Sequence, residues 1–267
     1  MTSRMAEAFY LIEAAFDGCC GAPYPHNIAF LTEIFMHPYA IPAEVKERVM
    51  RRQGKLPSHD TIDASRTALV VVDMQNYFVA EGFPLEVPAA RGIVPNINRL
   101  ARALRAAGGT VVWVQTTAVG ALETWGNHHK HMLTPERAKT RLANLDEKAE
   151  GFALYPKLEA LPTDQRTKKV KFSAFISGSS DVDAKLRSRG IESLLIAGTL
   201  TNVCCESTAR DAMMLDYRVI MVSDCNATLS DETHAASLNN FVVYFGDVMT
   251  TDEAAARLVA AEKRQSA

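Results

Sequence analysis

Residues 67–115 read TALVVVDMQNYFVAEGFPLEVPAARGIVPNINRLARALRAAGGTVVWVQ. The opening run, Thr67–Asp73, is short, apolar and rich in valine, which is the pattern of a strand buried on both faces. From Ile93 to Ala107 apolar side chains recur at 93, 94, 97, 100, 101 and 104. That spacing predicts an amphipathic helix, closed by Gly108-Gly109. Thr110–Gln115 repeats the strand pattern. Strand, helix and strand in this order are the signature of a parallel sheet covered by helices.

Outward toward the C-terminus the alternation continues. Strands are expected over Lys168–Phe172, Ser193–Ala197, Arg218–Val222 and Asp247–Met249, with helices over Asp181–Arg189, Cys204–Leu215 and Asp231–Phe241 between them. Thr250-x-x-Glu253 reads as a capping box opening a last helix. The stretch 116–165 reads as loops and short helices. The fold class predicted is α/β: a three-layer αβα arrangement, Rossmann-like, with a central mostly parallel sheet.

Outward toward the N-terminus the regularity stops. Met5, Phe9, Ile12 and Phe16 fall at helical spacing, so a helix is expected over 3–16. Prolines at 23, 25, 38, 42 and 57 break the pattern beyond it, leaving room for a short helix over Pro42–Arg52. Residues 1–60 therefore read as an N-terminal helical arm, too broken for a core of its own and expected to dock on a neighbouring subunit. Residues 61–267 read as the main domain.

Composition narrows the function classes. Apolar residues make up 48% and the formal charge is −2, so no basic field points to nucleic acid. No apolar run approaches the ~20 residues of a membrane span. Met1–Phe16 carries Glu7 and Glu13 against one Arg4, unlike a secretory signal. The five cysteines, at 19, 20, 204, 205 and 225, make a poor disulfide framework, and a reducing, cytoplasmic setting is expected. Cys204-Cys205 lacks the CxxC spacing of a redox pair. No metal site is expected, since Asn127–His131 (NHHKH) has no carboxylate or cysteine beside it and reads as a polar loop.

In a parallel sheet the reactive groups lie just past the carboxyl ends of strands. No GxGxxG, GxxxxGK[ST] or GxSxG occurs at those places. What stands there is Asp73 after the first strand and Cys204 after the fourth. Alone, Asp73 reads equally as a cap for the next turn. Cys204 falls near a helix start, where free N–H groups favour a thiolate and can bind an oxyanion, although most free cysteines are simply small buried residues. Lys169 and Lys171 flank Val170, and alternation puts both on one face of the expected strand. Solubility of an edge strand would explain them as well as a cation beside the cysteine would.

Taken together, TALVVVDMQNYF (67–78), KVKFSAF (169–175), GTLTNVCCESTARDA (198–212) and DVMTTDEAAARL (247–258) resemble the isochorismatase-like cysteine hydrolases over about 66–260. The resemblance implies a catalytic set of Asp73, Lys169 and Cys204. Lys169 is selected over Lys171 because the family lysine lies four before the serine, here Ser173, and Cys204 over Cys205 by the G-x-x-T-N-x-C pattern. It also implies an oxyanion hole from the backbone N–H groups of Leu200 and Cys204, with a cis bond at Thr199–Leu200. The run 186–211 is most similar to the amide-cleaving branch, such as ureidoacrylate amidohydrolase and N-carbamoylsarcosine amidase.

The implied activity is hydrolysis of a small linear amide or ureide, with ammonia released through a thioester and no cofactor. The implied assembly is a homo-oligomer, dimer or tetramer. Vinyl-ether-cleaving isochorismatases lack the cysteine. Nicotinamidases add an Asp-x-His metal site that has no counterpart here, and a non-catalytic interaction protein would not need the set intact. Gln115, Trp125, Asn127 and His128 are the expected substrate contacts. The N-terminal arm and ISGSSD (176–181) depart from the family pattern and leave substrate identity open.

Overall fold

The Thr67–Val72 strand, β2, is buried at every residue because its two faces serve two different cores. Leu69 and Val71 pack with Ile93, Ile97 and Leu100 of one helix layer. Ala68, Val70 and Val72 pack with Ala209, Ala212, Leu238 and Phe241 of the other. Each large side chain buried in this way contributes about 1.5–3 kcal/mol, so the strand cannot slip by one residue without exchanging its partners.

The structure, a computed structural model, describes residues 36–260, which lie within one compact unit. In chain order the elements are α1 (Ala43–Gln53), β1 (Ile62–Asp63), β2, α2 (Asn76–Val79), α3 (Ala89–Ala106), β3 (Thr110–Thr116), α4 (Ala121–Asn127) and α5 (Pro135–Asn144). They continue as β4 (Gln165–Lys169), α6 (Val182–Arg187), β5 (Ser193–Thr199), α7 (Glu206–Met214), β6 (Arg218–Ala227), α8 (Asp231–Tyr244), β7 (Asp247–Met249), α9 (Thr251–Arg257) and β8 (Leu258–Val259). The main sheet has six strands in the order β4-β3-β2-β5-β6-β7, all parallel. β1 and β8 form a small parallel pair of their own. The three-layer αβα reading therefore holds.

Several boundaries differ from expectation, and three have a clear cause. α3 begins at Ala89 rather than Ile93 and carries Pro95 inside it, because the buried side chains at 93, 94, 97, 100, 101 and 104 hold the helix across the proline. β4 ends at Lys169 instead of spanning 168–172, so Lys171 lies beyond the strand and the two lysines do not share a strand face. Pairing of Thr116 with Lys169 decides this, and a charged edge strand carries no apolar signal of its own register. β6 runs on to Ala227 because its pairing with β5 shifts between Ile196 and Gly198 and then resumes at Asn226. The capping box at Thr250 and Glu253 is present as read.

Residues 36–59 pack on their own chain. Val45 and Val49 of α1 join the second core cluster, and Tyr39 donates to Asn239 Oδ1 at 2.9 Å. His37 Nδ1 lies 2.6 Å from Asp231 Oδ1, and Ser58 and His59 close on Asp247. The helix expected over 3–16, with Cys19 and Cys20, lies outside the described residues.

Candidate active site

The strand order brings the carboxyl ends of β4, β3, β2 and β5 side by side, and the candidate residues come from those ends. Asp73 follows β2 with φ 54°, its N–H held by Val114 O at 2.9 Å. Aspartate is among the few side chains that tolerate this left-handed backbone. Thr116 ends β3 and Lys169 ends β4. β5 approaches β2 so closely at Gly198 that a Cβ there would run into the Val72 carbonyl. Glycine at 198, with φ 120°, lets the following loop pass beside Asp73. The Thr199–Leu200 bond is cis, and a wide π-type turn over Thr201–Cys205 leads into α7. Leu200 O accepts from both Val203 N and Cys205 N at 3.1 Å, which fixes the loop carrying Cys204.

Asp73 and Lys169 are fully buried and Cys204 is 4% exposed. Lys169 Nζ lies 2.8 Å from Asp73 Oδ2, donates to Thr116 Oγ1 at 2.7 Å, and donates to Lys171 O at 3.1 Å. Two of its protons thus have hydrogen-bond acceptors, and the contact with Asp73 is an ion pair without a well-directed hydrogen bond. Thr116 Oγ1 donates in turn to Asp73 Oδ1 at 2.8 Å. Cys204 completes the cluster, near enough for Lys169 and Asp73 both to act on its thiol.

The electrostatics follow from burial. Loss of water disfavours the Lys169 charge, but Asp73 and the Cys204 sulfur outweigh that and hold its pKa above the usual lysine value. Burial pushes the Cys204 thiol up to about 12, against the pull of Lys169. The thiol is therefore protonated at rest. This corrects the expectation of a thiolate favoured by a helix start: the turn before α7 is too enclosed for that contribution to win. Cys205 is also buried and its pKa raised, with Sγ turned toward Ala197 O at 3.9 Å.

The expected substrate contacts divide. Gln115 points elsewhere, its amide donating to Phe152 O at 2.9 Å and bordering a hollow shared with Arg166, Lys168 and Lys185. Trp125 and His128 stack at 4.0 Å between ring centroids, and Phe172 meets both edge-on. The NHHKH stretch is thus partly an aromatic cluster rather than a polar loop. Burial, with Arg141 and His129 nearby, lowers the His128 pKa to about 4, so the ring is neutral at pH 7. His128 and Phe172 line a cavity of about 600 Å³, whereas Asn127 is exposed and does not line it.

Sequence reasoning missed three residues. Thr116, one residue beyond Gln115, has the parity that faces the cluster. Gln75 is the second. It donates to Thr116 O and Phe152 O at 3.0 Å and accepts from Thr116 N at 2.7 Å, locking the end of β3. Arg141 of α5 is the third, close enough to act on both Lys169 and Cys204. The DMQ run after β2 was a signal for Gln75. Nothing local marked Arg141.

The chain is similar to known proteins over the region that carries this cluster. The isochorismatase domain model matches residues 67–253. The ureidoacrylate amidohydrolase RutB of Variovorax paradoxus is 34% identical over 211 residues, covering 74% of this chain and 83% of that protein. The crystal structure of a cysteine hydrolase from Pseudomonas syringae pv. phaseolicola superposes with a TM-score of 0.63 at 29% identity, covering 74% of this chain and 94% of that one. An isochorismatase family protein from Desulfovibrio vulgaris gives 0.61 at 29% identity, over 72% and 99%. With the family model matched over most of the chain and a curated relative at 34% identity, the chain belongs to the isochorismatase family.

Proposed function

We propose that the chain is a cysteine-dependent amidohydrolase that cleaves a C–N bond of a small linear amide or ureide. The observation that carries this reading is the buried Asp73–Lys169 pair with buried Cys204 in the same cluster, in a chain similar to an enzyme named for ureidoacrylate. Asp73 takes the Cys204 proton as sulfur adds to the substrate carbonyl. The N–H groups of Leu200 and Cys204 hold the developing oxyanion. Collapse breaks the C–N bond, and Asp73 returns the proton to the departing nitrogen, which leaves as ammonia. Water then attacks the thioester, giving a proton to Asp73 as it adds, and that proton returns to sulfur as the C–S bond breaks. Lys169 stays cationic throughout and keeps the carboxylate tolerable inside the protein.

A resting thiol near 12 suits this order of events, since proton transfer and attack then occur together. The same reading takes a homo-oligomer as the working form, which light scattering checks. The direct test is ammonia release over a panel of linear amides and ureides that includes ureidoacrylate. Cys204→Ala should abolish turnover while Cys205→Ser keeps most of it. Silence across the panel, or equal loss in two folded variants, would sink the proposal.

A further inference from the structure

We propose that His37 and His234 are positioning residues for the loop that carries Cys204, joined into one unit by the strap of chain at 36–39. This rests on the amidohydrolase reading, in which the N–H groups of Leu200 and Cys204 hold the oxyanion. The strap lies before the span 67–253 that the family model matches. Yet His37 reaches two residues of the turn Thr201–Cys205, through one intermediate each.

The first route runs through His234 of α8. Its Nδ1 lies 2.9 Å from Thr201 Oγ1, and both residues are fully buried. Thr201 directly follows Leu200, so this bond holds the chain at the expected oxyanion hole. The other ring nitrogen, Nε2, is buried without a hydrogen-bond partner, which leaves Thr201 to orient the ring. His37 stacks on His234 with centroids 4.7 Å apart, and Tyr39 meets the ring edge-on at 6.0 Å. Burial, with His37 nearby, lowers the His234 pKa to about 4, so the ring puts no charge beside the loop at pH 7.

The second route runs through Thr228, just past β6. His37 Nδ1 lies 2.6 Å from Asp231 Oδ1 at the start of α8, and its Nε2 lies 3.1 Å from Thr228 N and 3.0 Å from Thr228 O. A neutral ring accepts from the N–H and a protonated ring donates to the carbonyl, so Thr228 is held in either state. Thr228 Oγ1 then donates to Asn202 Oδ1 at 2.6 Å. Asn202 is exposed, and this bond ties down the outer side of the turn. A strap that only covered α8 would call for apolar side chains, as α1 supplies with Val45 and Val49. Imidazoles buried against polar groups of the turn serve placement instead, because oxyanion donors must stand within a few tenths of an ångström of where charge develops.

The test pairs steady-state kinetics, on a compound of the panel that is turned over, with amide hydrogen exchange of the full chain. His37→Ala and His234→Leu should each lower kcat by about tenfold or more with KM within about twofold of wild type, because the loop acts on the transition state rather than on bound substrate. Exchange over 199–206 should quicken by about tenfold in both. His234→Asn keeps a polar atom where Nδ1 stands, so it should recover kcat to within about threefold of wild type. Tyr39→Phe loses the bond to Asn239 but keeps the ring against His234, and should match wild type.

Exchange that quickens only over 36–41, an unchanged kcat in His37→Ala, or equal losses in His234→Leu and His234→Asn overturns the positioning role and leaves the amidohydrolase intact. Should His37→Ala fail to fold, the two His234 variants carry the same comparison. Silence across the panel defeats the amidohydrolase reading separately, and exchange over 199–206 then decides alone. Quicker exchange in His234→Leu than in His234→Asn supports the positioning role, and equal exchange in the two overturns it.

Discussion

Asp73 and Asp247 are both fully buried, and each meets one basic side chain, yet the protein treats them in opposite ways. Asp247 opens β7 and is saturated. Ser58 N reaches both its oxygens at 2.9 Å, Ser58 Oγ and His59 N donate to Oδ2 at 2.8 and 3.0 Å, and His59 Nδ1 lies 2.5 Å from the same oxygen. Asp73 follows β2 and has far less. Thr116 serves Oδ1, while Oδ2 has only the Lys169 contact and no well-directed hydrogen bond. A carboxylate wrapped in donors is stabilised as an anion and gives little as a base. One left with an unfilled oxygen beside a thiol can take a proton. The saturated group clips residues 58–59 to the sheet; the underfilled one sits where chemistry is proposed.

The strongest way to break this contrast is to remove the cations. Lys169→Met should lower kcat by about 10²–10⁴-fold and also destabilise the fold by about 3–5 kcal/mol, because Asp73 is then a buried unpaired charge. Adding Asp73→Asn should restore much of the stability and none of the activity. Lys171→Met should do little, since its side chain reaches only Ser177 O. Chemical denaturation and steady-state kinetics on the same samples read both effects. Restored turnover in the double variant would remove Asp73 from the chemistry.

Asp247→Asn should show the reverse pattern: about 1–3 kcal/mol of stability lost, with kcat retained. Burial alone would raise the Asp247 pKa, but the hydrogen bonds from His59 and Ser58 outweigh it and hold the carboxyl below its usual range. A carboxyl depressed in the folded state contributes stability that is complete above the ordinary value and lost as pH falls through the folded one. The wild-type melting temperature should therefore drop on going below about pH 4, and less steeply in the variant. A parallel acid limb in both proteins would show that Asp247 is not a source of that stability.

A smaller effect sharpens the comparison from within the cluster. Thr116 Oγ1 joins Lys169 to Asp73 Oδ1, so Thr116→Val should lower kcat by about tenfold while Thr116→Ser, which keeps the hydroxyl, stays near wild type. An equal fall in kcat in both variants would reduce Thr116 to packing.

Much of this molecule is written locally. Apolar runs mark β2, β3 and β5 because strands buried on both faces need continuous hydrophobicity, and Thr250-x-x-Glu253 marks a helix start because the cap bonds within four residues. Strand ends and motif order single out Asp73, Lys169 and Cys204. Other features depend on segments far apart in the chain. The register of β4 comes from its pairing with β3. The bond of Thr116 to Asp73, the clip of His59 on Asp247 and the approach of Arg141 to Cys204 each need two distant pieces in place. Burial is also a property of the assembled fold, which is why the Cys204 position suggested a thiolate and its surroundings made a thiol.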